Sequence, residues 1–74
     1  MRKVTLDLTK IKNFNELKKV CSEKELEQVF NELLKVKMND FAFDESEIEF
    51  IDKINETLVF NDLYNEVSFN IYLK

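Results

Sequence analysis

The sequence predicts one small domain of the α/β or α+β class, on three observations: an apolar stretch of period two at each end, a strongly helical stretch between them, and three capping signals that divide the middle. The simplest assembly is a two- to three-stranded sheet formed by the N- and C-terminal strands with about three helices packed on it. It occupies residues 1–74 as a single compact domain.

Val4, Leu6 and Leu8 alternate with Thr5, Asp7 and Thr9, which predicts a strand with one buried face, closed by Ile11. Asn13-Phe14-Asn15-Glu16 has the spacing of a capping box, so a helix starts there and buries Leu17, Val20 and Cys21. That helix cannot run on to Met38. Each residue advances about 100° around a helix, so Leu17 and Leu26 would face opposite sides. A break at Ser22 resolves the conflict, and Ser22-Glu23-Lys24-Glu25 supplies a second box with Cys21 and Leu26 as its hydrophobic staple. Beyond it Leu26, Val29, Phe30, Leu33 and Leu34, with the stem of Lys37, repeat at spacings of three and four.

Asn39-Asp40 ends this helix. Phe41-Ala42-Phe43 then leads to Asp44-Glu45-Ser46-Glu47, a third box with Phe43 and Ile48 as staple, and predicts a third helix with Ile48, Phe50, Ile51, Ile54 and Leu58 on its apolar arc. Thr57-Leu58-Val59-Phe60 reads equally as the end of that helix or as a short strand. Val67, Phe69, Ile71 and Leu73 alternate with Ser68, Asn70 and Tyr72 in a final strand. If the end strands are parallel neighbours, the helical excursion must cross right-handedly. A hairpin of residues 57–60 with 66–73 would instead give a three-stranded mixed sheet.

Composition limits the chemistry. There is no His, Gly, Pro or Trp, and one Cys. Without His the usual general base, zinc set and nucleophile pairs are missing, so no catalytic residue, metal ligand or cofactor site is expected. Cys21 lies on an apolar helix face, where a thiol acts as a small hydrophobe. Asp40, Asp44, Glu45 and Glu47 lack the alternation and the Gly of a calcium loop. A core of this size also leaves little room for a walled cleft. Turns must rely on Asn and Asp, the residues other than Gly that best tolerate positive φ. The richness in Lys, Asn, Ile, Phe and Glu fits a low-GC genome or one of its viruses. A lone Cys, no apolar run of membrane-spanning length and no secretory h-region predict a cytoplasmic chain.

Net charge is −4, divided unevenly. Residues 1–38 hold nine basic and six acidic side chains, and residues 39–74 hold two basic and nine acidic. An acidic surface repels nucleic acid and attracts basic protein faces. On the predicted third helix Glu45, Glu49, Asp52 and Glu56 recur at four, three and four and would form one stripe, available to a basic partner surface. Tyr64 and Tyr72 are candidate anchors for the same partner. Phe41 and Phe60 join them as candidate exposed aromatics, whereas Phe30, Phe50 and Phe69 fall on core faces. Arg2, Lys3, Lys10, Lys12, Lys18 and Lys19 would make a basic patch, but a pI near 4.8 argues against direct nucleic-acid binding.

Lys3-Val4-Thr5-Leu6-Asp7-Leu8-Thr9-Lys10-Ile11 followed by Asn13-Phe14-Asn15-Glu16-Leu17 resembles the opening strand and first helix of barstar-like ribonuclease inhibitors. The likeness covers under a quarter of the chain, and the family's glycine-containing inhibitory motif is missing, so no binding residue carries over. The resemblance implies a small parallel sheet with helices and an acidic inhibitory face. In size, charge and composition the chain is also similar to small acidic anti-restriction and anti-CRISPR proteins of phages, some of which act as DNA mimics. The expected function is therefore that of a non-enzymatic, protein-binding inhibitor or modulator that occupies a basic surface of an intracellular nuclease or nucleic-acid-binding complex. The alternative is an assembly protein, a homo-oligomer joined through an exposed strand edge near the C-terminal strand.

Overall fold

The computed structural model describes residues 3–39 and 42–74. Two helices, α1 (Phe14–Val20) and α2 (Glu23–Asn39), precede three strands, β1 (Ile48–Ile54), β2 (Thr57–Asp62) and β3 (Val67–Tyr72). The strands form one antiparallel sheet in the order β1-β2-β3. The class is α+β, with two helices rather than about three, and the sheet is built entirely from the second half of the chain.

The predicted break at Ser22 is present, and its box closes in both directions. The Ser22 N–H donates to Glu25 Oε1 at 2.9 Å and the Glu25 N–H to Ser22 Oγ at 3.2 Å. Cys21 is buried in the core and Leu26 packs against the same cluster. The start of α1 differs from its expectation. Asn13 sits at φ 65° and caps nothing with its side chain; its Nδ2 instead donates to the Phe50 carbonyl at 3.0 Å.

Two predicted elements are replaced. Residues 4–8 form no strand: Asp7 accepts from the Thr9 N–H and opens a 3-10 turn at Leu8–Lys10. The alternation of period two is real as burial, because Val4, Leu6 and Leu8 are half-buried between exposed neighbours, but no ladder accompanies it. The pairing of N- and C-terminal strands, and the parallel sheet that the barstar-like resemblance implied, are thus not formed.

The third helix is replaced as well. Asp44 caps only a 3-10 turn, Glu45–Glu47, and Ile48–Ile54 is strand β1. Four of its seven residues are β-branched or aromatic, a composition that crowds a helix and fits a pleated surface. Asn55, at φ 57°, opens the two-residue connection to Thr57, so residues 57–60 belong to strand β2 and not to a helix end. The alternative hairpin of residues 57–60 with the last strand is present, linked by residues 63–66, but in a wholly antiparallel sheet and not a mixed one, because the third strand is β1 and not the N-terminal segment. There Asp62 Oδ1 accepts from the N–H groups of Tyr64 and Asn65, and Glu66 takes φ 58°.

Leu58, Phe60, Phe50, Ile48 and Ile71 face inward and meet Leu17, Val29 and Leu33 from the helices. Phe60, expected at the surface, is fully buried between Phe50 (edge-on, 5.6 Å between centroids) and Phe69 (stacked, 5.3 Å). Each such side chain stabilises the fold by about 1.5–3 kcal/mol through burial. The expected exposure of Phe41 lies outside the described residues.

Candidate protein-binding surface

Helices pack on one face of the sheet only, and the other face is open. A bulge decides which side chains reach it. Glu49 pairs with Asn61 and Phe50 with Phe60, but the register then shifts so that Asp52 pairs with Val59. Glu49 and Asp52, three residues apart, would point to opposite faces of a regular strand. With one extra residue between them they share the open face. Three rows run across it: Glu49, Asn61 and Ser68; Asp52, Val59 and Asn70; Ile54, Thr57 and Tyr72.

This arrangement preserves part of the predicted stripe and dissolves the rest. Glu49 and Asp52 lie on the open face, and the exposed Glu56 stands at the β1–β2 turn, beside the row that ends in Tyr72; its carbonyl accepts from the Leu73 N–H at 2.7 Å. Glu45 is removed from the set: it is buried, ion-paired with Lys37, and accepts from the Asp7 N–H at 3.2 Å. Burial pushes its carboxyl pKa up, but the bonds from Lys37, from the Asp7 N–H and from its own N–H outweigh that and hold it below the ordinary value. The two tyrosines are not brought together. Tyr64 lies in the turn at one end of the β2–β3 hairpin and Tyr72 near the other.

The open face also carries Ile54, expected on the apolar arc of a helix, and Tyr72, while Ile51 from the same expected arc stands at the bulge without a register partner. Ile51 is 47% exposed and Ile54 57%, and Tyr72 beside Thr57 is 69% exposed. The signal that could have found them is the short connection at Asn55-Glu56 followed by the strand-like Thr57-Leu58-Val59-Phe60.

The strands themselves bring only acidic charge to this face, and Lys12, bridged in parallel to Glu49, stands at its β1 margin. Lys53, the one basic residue in the three strands, turns inward opposite Leu58; its Nζ donates to the Val20 carbonyl at 2.9 Å and meets Glu25 at 3.4 Å. None of the ion pairs among the described residues involves Glu49, Asp52 or Glu56. Elsewhere, Cys21 is free and buried, and burial raises its thiol pKa. An open apolar groove of about 440 Å³ between α2 and the sheet has Asp62 as its one ionisable group. Among the described residues no cluster of His, Cys, Asp and Glu could hold a metal ion, and no helix is long and apolar enough to cross a membrane.

Comparison of the chain with family models, curated proteins and solved structures finds no match.

Proposed function

We propose that the chain is a small acidic protein-binding modulator that lays its open sheet face on a basic surface of an intracellular target. The targets that suit it are a nuclease or another nucleic-acid-binding complex, whose phosphate-facing Lys and Arg residues the face would occupy. The observation that carries this reading is the combination on one surface of the exposed anchors Ile54 and Tyr72 with the acids Glu49 and Asp52, which join none of the ion pairs among the described residues. Aromatic and aliphatic anchors supply affinity once desolvated, while the acids steer encounter and set orientation. Inhibition by this route is occlusion and needs no chemistry from the bound chain. The acidic surface of this reading lies on the sheet and not on a helix, without Glu45 and without Tyr64.

The test is paired affinity capture with the wild-type chain and with Glu49→Lys/Asp52→Lys as baits. A basic nucleic-acid-binding protein retained by the first, released by the second and inhibited in its nucleic-acid activity by the wild type supports the proposal. Its binding should weaken steeply with salt, since exposed charges are screened beyond roughly 8 Å at physiological ionic strength. A partner held equally by both baits removes this face from the account.

A further inference from the structure

The two edges of the sheet differ in what meets them. Along β1, the Lys12 N–H donates to the Ile48 carbonyl at 2.8 Å, the Phe50 N–H donates to the Lys12 carbonyl at 3.0 Å, and Asn13 Nδ2 donates to the Phe50 carbonyl. Along β3 itself, among the described residues, no backbone bond comes from outside the hairpin, and just beyond it the Lys74 N–H donates to Gln28 Oε1 of α2 at 3.0 Å. The Leu73 N–H bond to the Glu56 carbonyl sets the phase of the ladder. Odd-numbered residues of β3 bond to β2, so Ser68, Asn70 and Tyr72 turn their N–H and C=O groups outward.

This outer edge lacks the usual protections. Val67-Ser68-Phe69-Asn70-Ile71-Tyr72 has no charge and no Pro, and its pairing with β2 shows no bulge. Its only nearby charges are Glu66 at one end and Lys74 at the other, each four residues from Asn70. An antiparallel copy centred on Asn70 therefore places Asn70 against Asn70 and Ser68 against Tyr72, and brings Glu66, in the turn just before β3, toward Lys74, just after it, at both ends. Shifting the register by two residues in either direction loses both charge pairs. The same register sets Val67, 54% exposed on the inward side, over Leu73 of the second copy. Beside the edge, Gln28, Asn31, Glu32 and Lys35 of α2 with Tyr72 and Lys74 border a groove of about 210 Å³, polar and of both charge signs.

We propose that two copies of the chain associate through β3, antiparallel about a two-fold axis at Asn70, to make one continuous six-stranded sheet. The occupant of the edge is a second copy because the edge is complementary to itself, in backbone phase and in end charges. The dimer rests on the strand edge and not on what the open face binds, so either reading can fail alone.

Sedimentation of the full chain from micromolar to millimolar concentration should show a reversible monomer–dimer equilibrium. Glu66→Lys and Lys74→Glu each place like charges together at two symmetry-related positions and should weaken dimerisation roughly ten-fold. The double variant Glu66→Lys/Lys74→Glu should restore it. Asn70→Pro removes an N–H that points away from β2 and should abolish the dimer while circular dichroism keeps the monomer's spectrum. Should that variant fail to fold, the charge exchange still decides. A chain that stays monomeric throughout, or a dimer indifferent to both single reversals, overturns the proposal.

Discussion

Ser22-Glu23-Lys24-Glu25 and Asp44-Glu45-Ser46-Glu47 carry the same spacing of cap and acid, yet the first opens a helix of 17 residues and the second closes after one 3-10 turn. In the first, the acid returns to the cap and the next residues, Leu26 to Leu34, repeat at helical spacing with good helix formers between them. In the second, the Glu47 N–H donates to the Asp44 carbonyl and the carboxylate of Asp44 accepts from Ser46, while Glu45 is drawn inward by Lys37. Ile48, Phe50, Ile51 and Ile54 then follow, and β2 is at hand to pair with them. A capping box thus sets the direction of one turn. Whether a helix follows depends on the propensity of the next residues and on the partners the chain offers them.

That comparison can be sharpened by removing one group at a time. The largest effect is expected from Glu45→Gln, which leaves Lys37 without its anionic partner beneath the second turn and should cost about 2 kcal/mol in denaturant unfolding. The ionised carboxylate is favoured in the folded state, since its pKa there lies below the ordinary value. Its contribution is therefore complete above the ordinary carboxylate range of about 4.3 and is lost as pH falls from there through the folded value. The stability gap between wild type and Glu45→Gln should be level near neutrality and narrow on acidification; parallel curves would mean that the pair contributes nothing. Next comes Ser22→Ala, expected to cost about 1 kcal/mol and to lower the helical signal of α2. The smallest loss is expected from Asp44→Ala, whose cap serves only a three-residue turn at the surface. If Asp44→Ala and Ser22→Ala proved equally costly, the two boxes would be equivalent after all.

The same residues explain how much of the fold could be read in advance. The break at Ser22, the helix after it, the last strand and its hairpin with residues 57–60 follow from local rules that no distant contact reverses. The first strand misled because alternating burial is necessary for a half-buried strand but does not guarantee a ladder; Leu6 and Leu8 reach the core from a chain that bonds to no neighbour in strand fashion. The third helix misled for a subtler reason. A bulge turns a spacing of two into three, so Glu49 and Asp52 share a face in β1 just as they would on a helix. The acidic stripe was therefore half legible. Glu49 and Asp52 remain together, Tyr72 joins them through the ladder, and the loss of Glu45 depended on Lys37, whose proximity nothing local announces.

The bonds that Lys12 and Asn13 make to β1 have an outcome for assembly as well as for the sheet's own stability. Fibre growth by strand addition requires two open rims, one to receive each incoming chain and one to pass the template on. Here a short piece of irregular backbone occupies the Ile48–Phe50 part of one rim. Addition at the other is a terminating event, so a chain rich in Phe, Ile and Asn, with an uncharged strand exposed, keeps the means to pair once without the means to propagate.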